Sequence, residues 1–347
     1  MALSDQELNP RELRVLEAVI QCYVETAEPA GSQTIAHRFG LGVSPATVRN
    51  TMAELEAKGF LFHPHTSAGR IPTDRAYRLY VDRLMRLAPP SDRDRQTLQV
   101  ELVGQRSAVE EVLRRAAQVL GVLTQELGVA VAPAFDRVVL DRLDLVQVAS
   151  DRLLLVFNLR SGAVRTIFVQ VPGSTMAHAV IERVTAILNE RLGGHTLQEI
   201  RTTLGERLRD AHGGAGEAEL LNIFIAEGEG IFGRAGEELP VVLGSAQPLA
   251  EQPEFASNAR IRGLLELTER RDLLREALDR RRREGLSITI GGENLDPRLT
   301  DFTLVTSSYK VGDLTGVIGV MGPTRMPYDK IIGLVDHTSR LVEGLLA

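Results

Sequence analysis

Two Xaa-Pro steps, Asn9-Pro10 and Ser44-Pro45, constrain this chain more tightly than any other feature. In each, a side chain able to accept from the next turn's N–H groups precedes a proline, whose missing N–H is harmless at the first helical position. Each step therefore fixes a helix start. After Pro10, Leu13, Leu16, Val19, Ile20, Tyr23 and Val24 recur at helical spacing, and Glu28-Pro29-Ala30-Gly31 ends the run. Ser32 is expected to cap a short second helix, SQTIAHRFG, that stops at Gly40. After Pro45, Val48, Met52 and Leu55 should face a core, and Gly59 supplies the stop. The opposite face then presents Ala46, Thr47, Arg49, Asn50 and Ala53. Small residues let a backbone approach a DNA groove, while Arg suits guanine and Asn adenine. A helix N-terminus capped by Ser44 can also accept a phosphate.

The next stretch, FLFHPHTSAGRIPTD, reads as a short strand at Phe60-Leu61-Phe62, a turn from His65 to Arg70 and a return at Ile71-Pro72. That is the length of a wing, and Gly69 permits a tight turn beside phosphates. Thr73-Asp74 caps a fourth helix with Ala76, Tyr77, Tyr80, Val81 and Leu84 on one face, leaving Arg75, Arg78 and Arg86 within reach of a DNA backbone. Residues 1–87 are thus expected to be a winged helix-turn-helix that contacts double-stranded DNA through Ser44, Thr47, Arg49, Asn50, His65, Thr66, Ser67 and Arg70. From layout alone, three helices and a hairpin also suit protein contact. His63 and His65 form an H-x-H pair without an obvious third ligand, so phosphate or solvent contact is expected and no metal.

The net charge of −6 argues mildly against nucleic acid, but its distribution matters more. Residues 1–28 set Arg11 and Arg14 against six acids, whereas residues 29–87 hold seven Arg and Lys58 against Glu54, Glu56, Asp74 and Asp82. A modest basic surface on an acidic protein suits specific reading of DNA better than coating it. The single cysteine, Cys22, excludes an internal disulfide and is expected to be a buried, inert thiol. It fits a reducing compartment, and the polar start MALSDQELNP does not read as a signal peptide. With no apolar run of bilayer length, the expected location is the cytoplasm and no membrane partner is expected.

Beyond Ala88-Pro89-Pro90-Ser91-Asp92, a linker over 88–104, the pattern gives a long helix with Val109, Val112, Leu113, Ala116, Leu120, Leu123 and Leu127 on one face. Strands follow in VVLDRLDLVQV and LLLVFNLRSGAVRTIFVQV, turning at Ser161-Gly162, then helices near 174–192 and 196–211. A Gly-rich acidic segment, about 212–257, precedes a helix bearing Ile261, Leu264, Leu265, Leu273, Leu274 and Leu278. The strands DFTLVTSSYK and LTGVIGVMG join at Val311-Gly312-Asp313, and a closing helix from Tyr328 turns Ile331, Ile332, Val335, Val342 and Leu345 inward. The order implies an α+β, multidomain chain whose sheet carries helices on one side. Arg280-Arg281-Arg282-Arg283 reads as a solvated helix end, with Glu276 and Arg280 as an i,i+4 pair.

The stretches SPATVRNTMAELEAKGFL, PHTSAGRIPTDRAYRLYVDRLM and GVIGVMGPTRMPYDKIIGLVDH resemble the heat-inducible transcription repressor HrcA family, while residues from about 90 to 285 match only in layout. The resemblance implies a homodimer on an inverted-repeat operator, the CIRCE element, repressing chaperone operons until heat shock, with a GroE-type chaperonin sustaining its activity. It also implies a GAF-like sheet domain over 105–195 and 285–347, interrupted by an inserted dimerisation domain over 196–284. In that setting the leucines near 261–278 are expected at the dimer contact, against the alternative that they cover their own sheet. By matched position the helix offers Thr47, Arg49 and Asn50 and the wing His65, Thr66, Ser67 and Arg70. The assignment of these side chains to bases or phosphates rests on the helix faces, not on the resemblance.

No G-x-S-x-G, H-E-x-x-H, P-loop or dinucleotide fingerprint occurs, so neither catalysis nor a cofactor is expected. Two other classes stay open. One is a small-molecule-sensing regulator with its effector in the GAF-like domain; the other is a hydrolase or transferase carrying a DNA-binding module. A polar-lined pocket would mark the first, and perturbed acid–base pairs in a cleft the second.

Overall fold

A computed structural model of the chain describes residues 8–64, 69–103, 109–133, 138–160, 162, 164–171, 177–211, 214–236, 241–283, 285–312 and 314–346. Helix α1 (Pro10–Thr26) opens on a reciprocal cap. Asn9 Oδ1 accepts from the backbone N–H groups of Arg11 and Glu12 at 3.0 Å each, and Glu12 Oε2 accepts from the N–H of Asn9 at 2.8 Å. In α2 (Ser32–Arg38), Ser32 is the first helical residue rather than the cap; Gly31 precedes it without a side-chain bond. Next come α3 (Pro45–Ala57), the two-stranded antiparallel ladder β1 (Leu61–Phe62) and β2 (Ile71–Pro72), and α4 (Asp74–Leu79). A single π-turn, Tyr80–Leu84, extends α4 and closes with Met85 N–H on the Tyr80 carbonyl at 2.9 Å.

The remaining elements in chain order are α5 (Asp92–Leu102), α6 (Val109–Thr124), β3 (Leu127–Val131), β4 (Leu140–Ala149), β5 (Arg152–Leu159), β6 (Val164–Gln170), α7 (His178–Leu192), α8 (Leu197–Leu208), α9 (Ala215–Gly236), β7 (Val242–Leu243), α10 (Gln247–Ala250), α11 (Asn258–Glu269), α12 (Arg271–Asp279), β8 (Leu286–Ile290), β9 (Phe302–Val311), β10 (Leu314–Pro323) and α13 (Tyr328–Leu346). They form a mixed α/β molecule with two further sheets. The larger is antiparallel with strand order β7-β3-β10-β9-β8. Its two faces are both covered, not one. Ala130, Val305, Ile318 and Val320 pack with Leu113 and Leu120 of α6 and Ile331 and Val335 of α13. Leu127, Val129, Val131, Leu304, Val317 and Met321 point the other way, into Leu264, Leu267, Leu273, Leu274 and Leu278 of α11 and α12. The period of two in β10 makes both readings inevitable, since both parities are apolar. Close helix–strand packing depends on Gly128, where a Cβ would collide with the Ala117 carbonyl of α6.

Several expectations change here. The leucines of 261–278 mostly cover their own sheet, the alternative to the expected dimer contact, and only Leu265 among them is strongly exposed. Leu127 belongs to β3, because the helix ends at Thr124. Residues 92–102 of the expected linker form α5, whose Leu98 and Leu102 are buried. The Gly-rich segment holds α9: Leu220, Leu221, Phe224, Ile231 and Phe232 are buried, and Gly228 leaves room for Leu204 of α8. Gly228 there serves close packing of α8 against α9. The arginine run is not solvated throughout, since Arg281 is buried and Arg282 donates to the Ala132 carbonyl at 2.9 Å. The Glu276–Arg280 pair does form.

The partition of the chain also differs from the sequence reading. Strands β4, β5 and β6 form a separate antiparallel meander, and α7, α8 and α9 cover one of its faces. Leu143, Leu155, Phe157 and Val169 meet Val184, Leu188, Ile200, Leu204, Phe224 and Phe232 in a core of their own. The unit that interrupts the larger sheet is therefore residues 138–236, not 196–284. Alternation reveals a strand but not which sheet receives it. On the outer face Val146, Val148, Val164 and Phe168 are each about half exposed. The edge of β4 is clasped at Leu143, whose N–H and C=O both bond the Asn189 side chain at 2.7 Å.

Elements α1 to α4 dock on the larger sheet through a shared core. The Tyr77 and Tyr328 rings lie 5.8 Å apart. Arg78 donates to Glu293 Oε1 at 2.8 Å and to the Ile288 carbonyl at 2.7 Å, and the Gly292 N–H reaches Asp74 at 2.9 Å. Arg325 donates to the Val24 carbonyl at 2.8 Å while holding Glu254. Behind it, Gln252 Nε2 donates to Glu126 at 3.0 Å; burial pushes that carboxyl well above the usual range, against the Gln252 bond and the Arg325 charge.

Candidate nucleic-acid interface

Helix α3 begins where the sequence places it. Ser44 Oγ accepts from the Thr47 N–H at 3.2 Å and lies 3.0 Å from the Thr47 hydroxyl. The first two of these candidate residues therefore serve each other in the cap. Val48, Met52 and Leu55 are fully buried against α1 and α2. That anchoring leaves Ala46, Arg49, Asn50 and Ala53 exposed at i, i+3, i+4 and i+7, a single stripe along the helix. Arg49 and Asn50 stand together between two alanines, and Arg49 enters no ion pair among the described residues.

Most other basic side chains of this region are already engaged. Lys58 binds the buried Glu12 at 2.6 Å, which ties the end of α3 to the start of α1. Burial pushes the Glu12 carboxyl up, but the bonds from Lys58 and Asn9 outweigh it and hold it below the usual range. Arg75 donates to the Lys58 carbonyl at 2.9 Å and lies over the Phe60 ring at 4.4 Å. Arg78 is held by Glu293, as above. Neither Arg75 nor Arg78 is poised for the DNA backbone in this arrangement, whereas Arg86 is exposed.

His65, Thr66 and Ser67 lie outside the described residues. Arg70, at the base of that turn, is placed: its Nε and Nη2 lie 3.0 and 2.9 Å from Glu56 Oε2, and its side chain is only 12% exposed. Its backbone exchanges two hydrogen bonds with Ala30, at 3.0 and 2.9 Å. Gly69 sits so close to the Ala30 and Pro29 carbonyls that no Cβ would fit. His63 Nδ1 faces Glu56 Oε1 at 2.8 Å, a carboxylate partner in place of the expected solvent or phosphate. The sequence reading passed over Glu56. Its signal was an acid at the penultimate position of α3, followed by His63 and Arg70 on either side of the turn.

Comparison with known proteins bears on the whole chain. A family model described as the HrcA protein C terminal domain matches residues 110–332. The heat-inducible transcription repressor HrcA of Chlorobium limicola (strain DSM 245 / NBRC 103803 / 6330) is 36% identical over 362 residues, covering 99% of both chains. That of Chlorobium phaeobacteroides (strain BS1) is 37% identical over 348 residues, covering 95% of this chain and 96% of its own. The chain belongs to the HrcA family of heat-inducible transcription repressors. The family model starts within α6, so α1 to α4 are matched by the full-length HrcA relatives and not by it. A crystal structure of a hypothetical protein, 23% identical, covers 98% of this chain and 99% of its own with a TM-score of 0.68, so the fold is shared along its length.

Proposed function

We propose that this chain is a dimeric, DNA-binding repressor of heat-shock chaperone operons, working in the cytoplasm. Residues 1–87 act as a winged helix-turn-helix on an inverted-repeat operator. The observation that carries this is the exposed stripe of α3, with Arg49 and Asn50 between small residues on a helix whose other face is locked in a core. Such a face reads base edges, and the adjoining ladder supplies the wing. Thr47 and the Ser44 cap face the phosphates near the helix N-terminus, and His65, Thr66 and Ser67 are further proposed DNA contacts. Family membership supports repression, and control by a GroE-type chaperonin is what the sequence resemblance implies.

The dimer uses the unit of residues 138–236, which interrupts a GAF-like sheet domain. Its outer sheet face sets Val146 across from Leu154, and Leu154 across from Phe168. Two such faces joined by a two-fold axis would bury a contiguous apolar patch and pair two winged helices. The test is binding of the purified chain to an inverted-repeat duplex and to its scrambled counterpart at matched salt, with and without chaperonin. Preference for the repeat, strengthened by chaperonin, is expected; equal affinity for both duplexes would contradict the reading.

A small-molecule-sensing regulator is a second reading, favoured by a cavity of about 400 Å³ beside α12, lined by Leu273, Arg281, Thr289, Glu293, Asn294 and Leu299. Glu293 also holds Arg78, so an occupant there would touch the docking of α4. Filling the cavity with Ala277→Leu tests it. A changed operator affinity supports effector control, and an unchanged one leaves the first reading alone.

A further inference from the structure

We propose that Glu56 is a positioning residue for DNA reading, which grips Arg70 and His63 and so sets the angle between the recognition helix and the wing. This rests on reading α3 and the β1–β2 ladder as the DNA-binding elements. One carboxylate here spans both legs of the turn: His63 directly follows β1 and Arg70 directly precedes β2. Oε1 faces the first leg at 2.8 Å, and Oε2 accepts from the second at 3.0 Å. Helix and ladder are thereby joined by a polar contact beside the packing of Leu55, Phe60 and Leu61.

The surroundings leave Arg70 little freedom to serve a phosphate. Its backbone is bonded both ways to Ala30, and Gly69 is pressed against the α1–α2 turn. Swinging the guanidinium outward would strip a half-buried carboxylate of its strongest donors, and unpaired charge is costly in such a place. Burial pushes the Glu56 carboxyl up, yet the His63 and Arg70 bonds outweigh it and hold it below the usual range. Electrostatics alone would disfavour an acid on this surface, because it repels the DNA backbone. A geometric task accounts for its presence.

The experiment measures operator affinity of the full chain against salt concentration for the wild type, Glu56→Gln, Arg70→Ala, Arg70→Lys and the Glu56→Gln/Arg70→Ala pair. Glu56→Gln is expected to weaken operator binding about tenfold, although it removes a negative charge, and the double variant to bind no worse than either single one. Arg70→Lys should be weakened too, since an ammonium keeps the charge but not the two-pronged donor. The salt slope should stay at the wild-type value throughout. Unaltered or tighter binding by Glu56→Gln would overturn the proposal. So would an Arg70→Ala slope lower by about one, with Arg70→Lys like the wild type, the signature of a lost phosphate contact. Failure of the wild type to prefer the repeat would overturn the DNA reading itself, a separate outcome.

Discussion

Arg49 stands apart among the basic residues near α3, because the others for which partners are seen are spent on holding the fold together. If Arg49 reads a base, Arg49→Ala should cost roughly 1–3 kcal/mol on the operator and much less on random DNA. Competition binding with the two duplexes checks this. Glu126 makes a different prediction. Its carboxyl is raised on folding, so above the ordinary glutamate value of 4.5 the native chain keeps a proton that the unfolded chain has released. Native stability therefore falls as pH climbs through that window. Glu126→Gln removes the titration and keeps an acceptor for Gln252. Its unfolding midpoint should exceed the wild type's at neutral pH, and the two should converge below 4.5.

At the scale of elements, what the sequence made legible was whatever local chemistry decides. The caps at Asn9 and Ser44, the positive-φ stops at Gly40 and Gly59, and the exposed stripe of α3 all follow from neighbours in sequence. What it hid depended on distant partners. Helix α9 stayed unassigned in a Gly-rich, acidic segment, where Gly228 admits Leu204 of α8. The sheet joined by β4–β6, and the side taken by the leucines of α11 and α12, are set by burial on faces that periodicity alone cannot tell apart. Arg70 was legible as the end of the turn before β2, but its carboxylate partner lies fourteen residues back on another element. The same packing gives a sharp test: Gly128→Ala must push β3 off α6, where rigid backbone at Ala117 blocks the methyl. A loss of about 3 kcal/mol is expected in chemical denaturation, at the upper end of ordinary overpacking.

For the molecule as a whole, the outer face of the β4–β6 sheet carries the dimer prediction. Phe168→Asp puts a charge on that face, on edge strand β6 and on a residue already 58% exposed, so the monomer fold should survive. Sedimentation should then show a monomer with unchanged circular dichroism, and operator affinity should fall because paired half-sites are no longer bound together. A dimer that persists would move the contact elsewhere.

The larger sheet has a further consequence during synthesis. Strand β3 leaves the ribosome early, yet the neighbour that pairs with all of it, Leu127 to Val131, is Val317 to Met321, close to the end of the chain. The intervening β4–β6 unit has short-range pairings and its own core, so it can fold while β3 waits. Until the last strands are made, an apolar β3 has one edge without its main partner, and pairing it requires closing a long loop at an entropic cost. The nascent repressor thus spends part of its life as the kind of incompletely folded chain that a heat-stressed cell must handle.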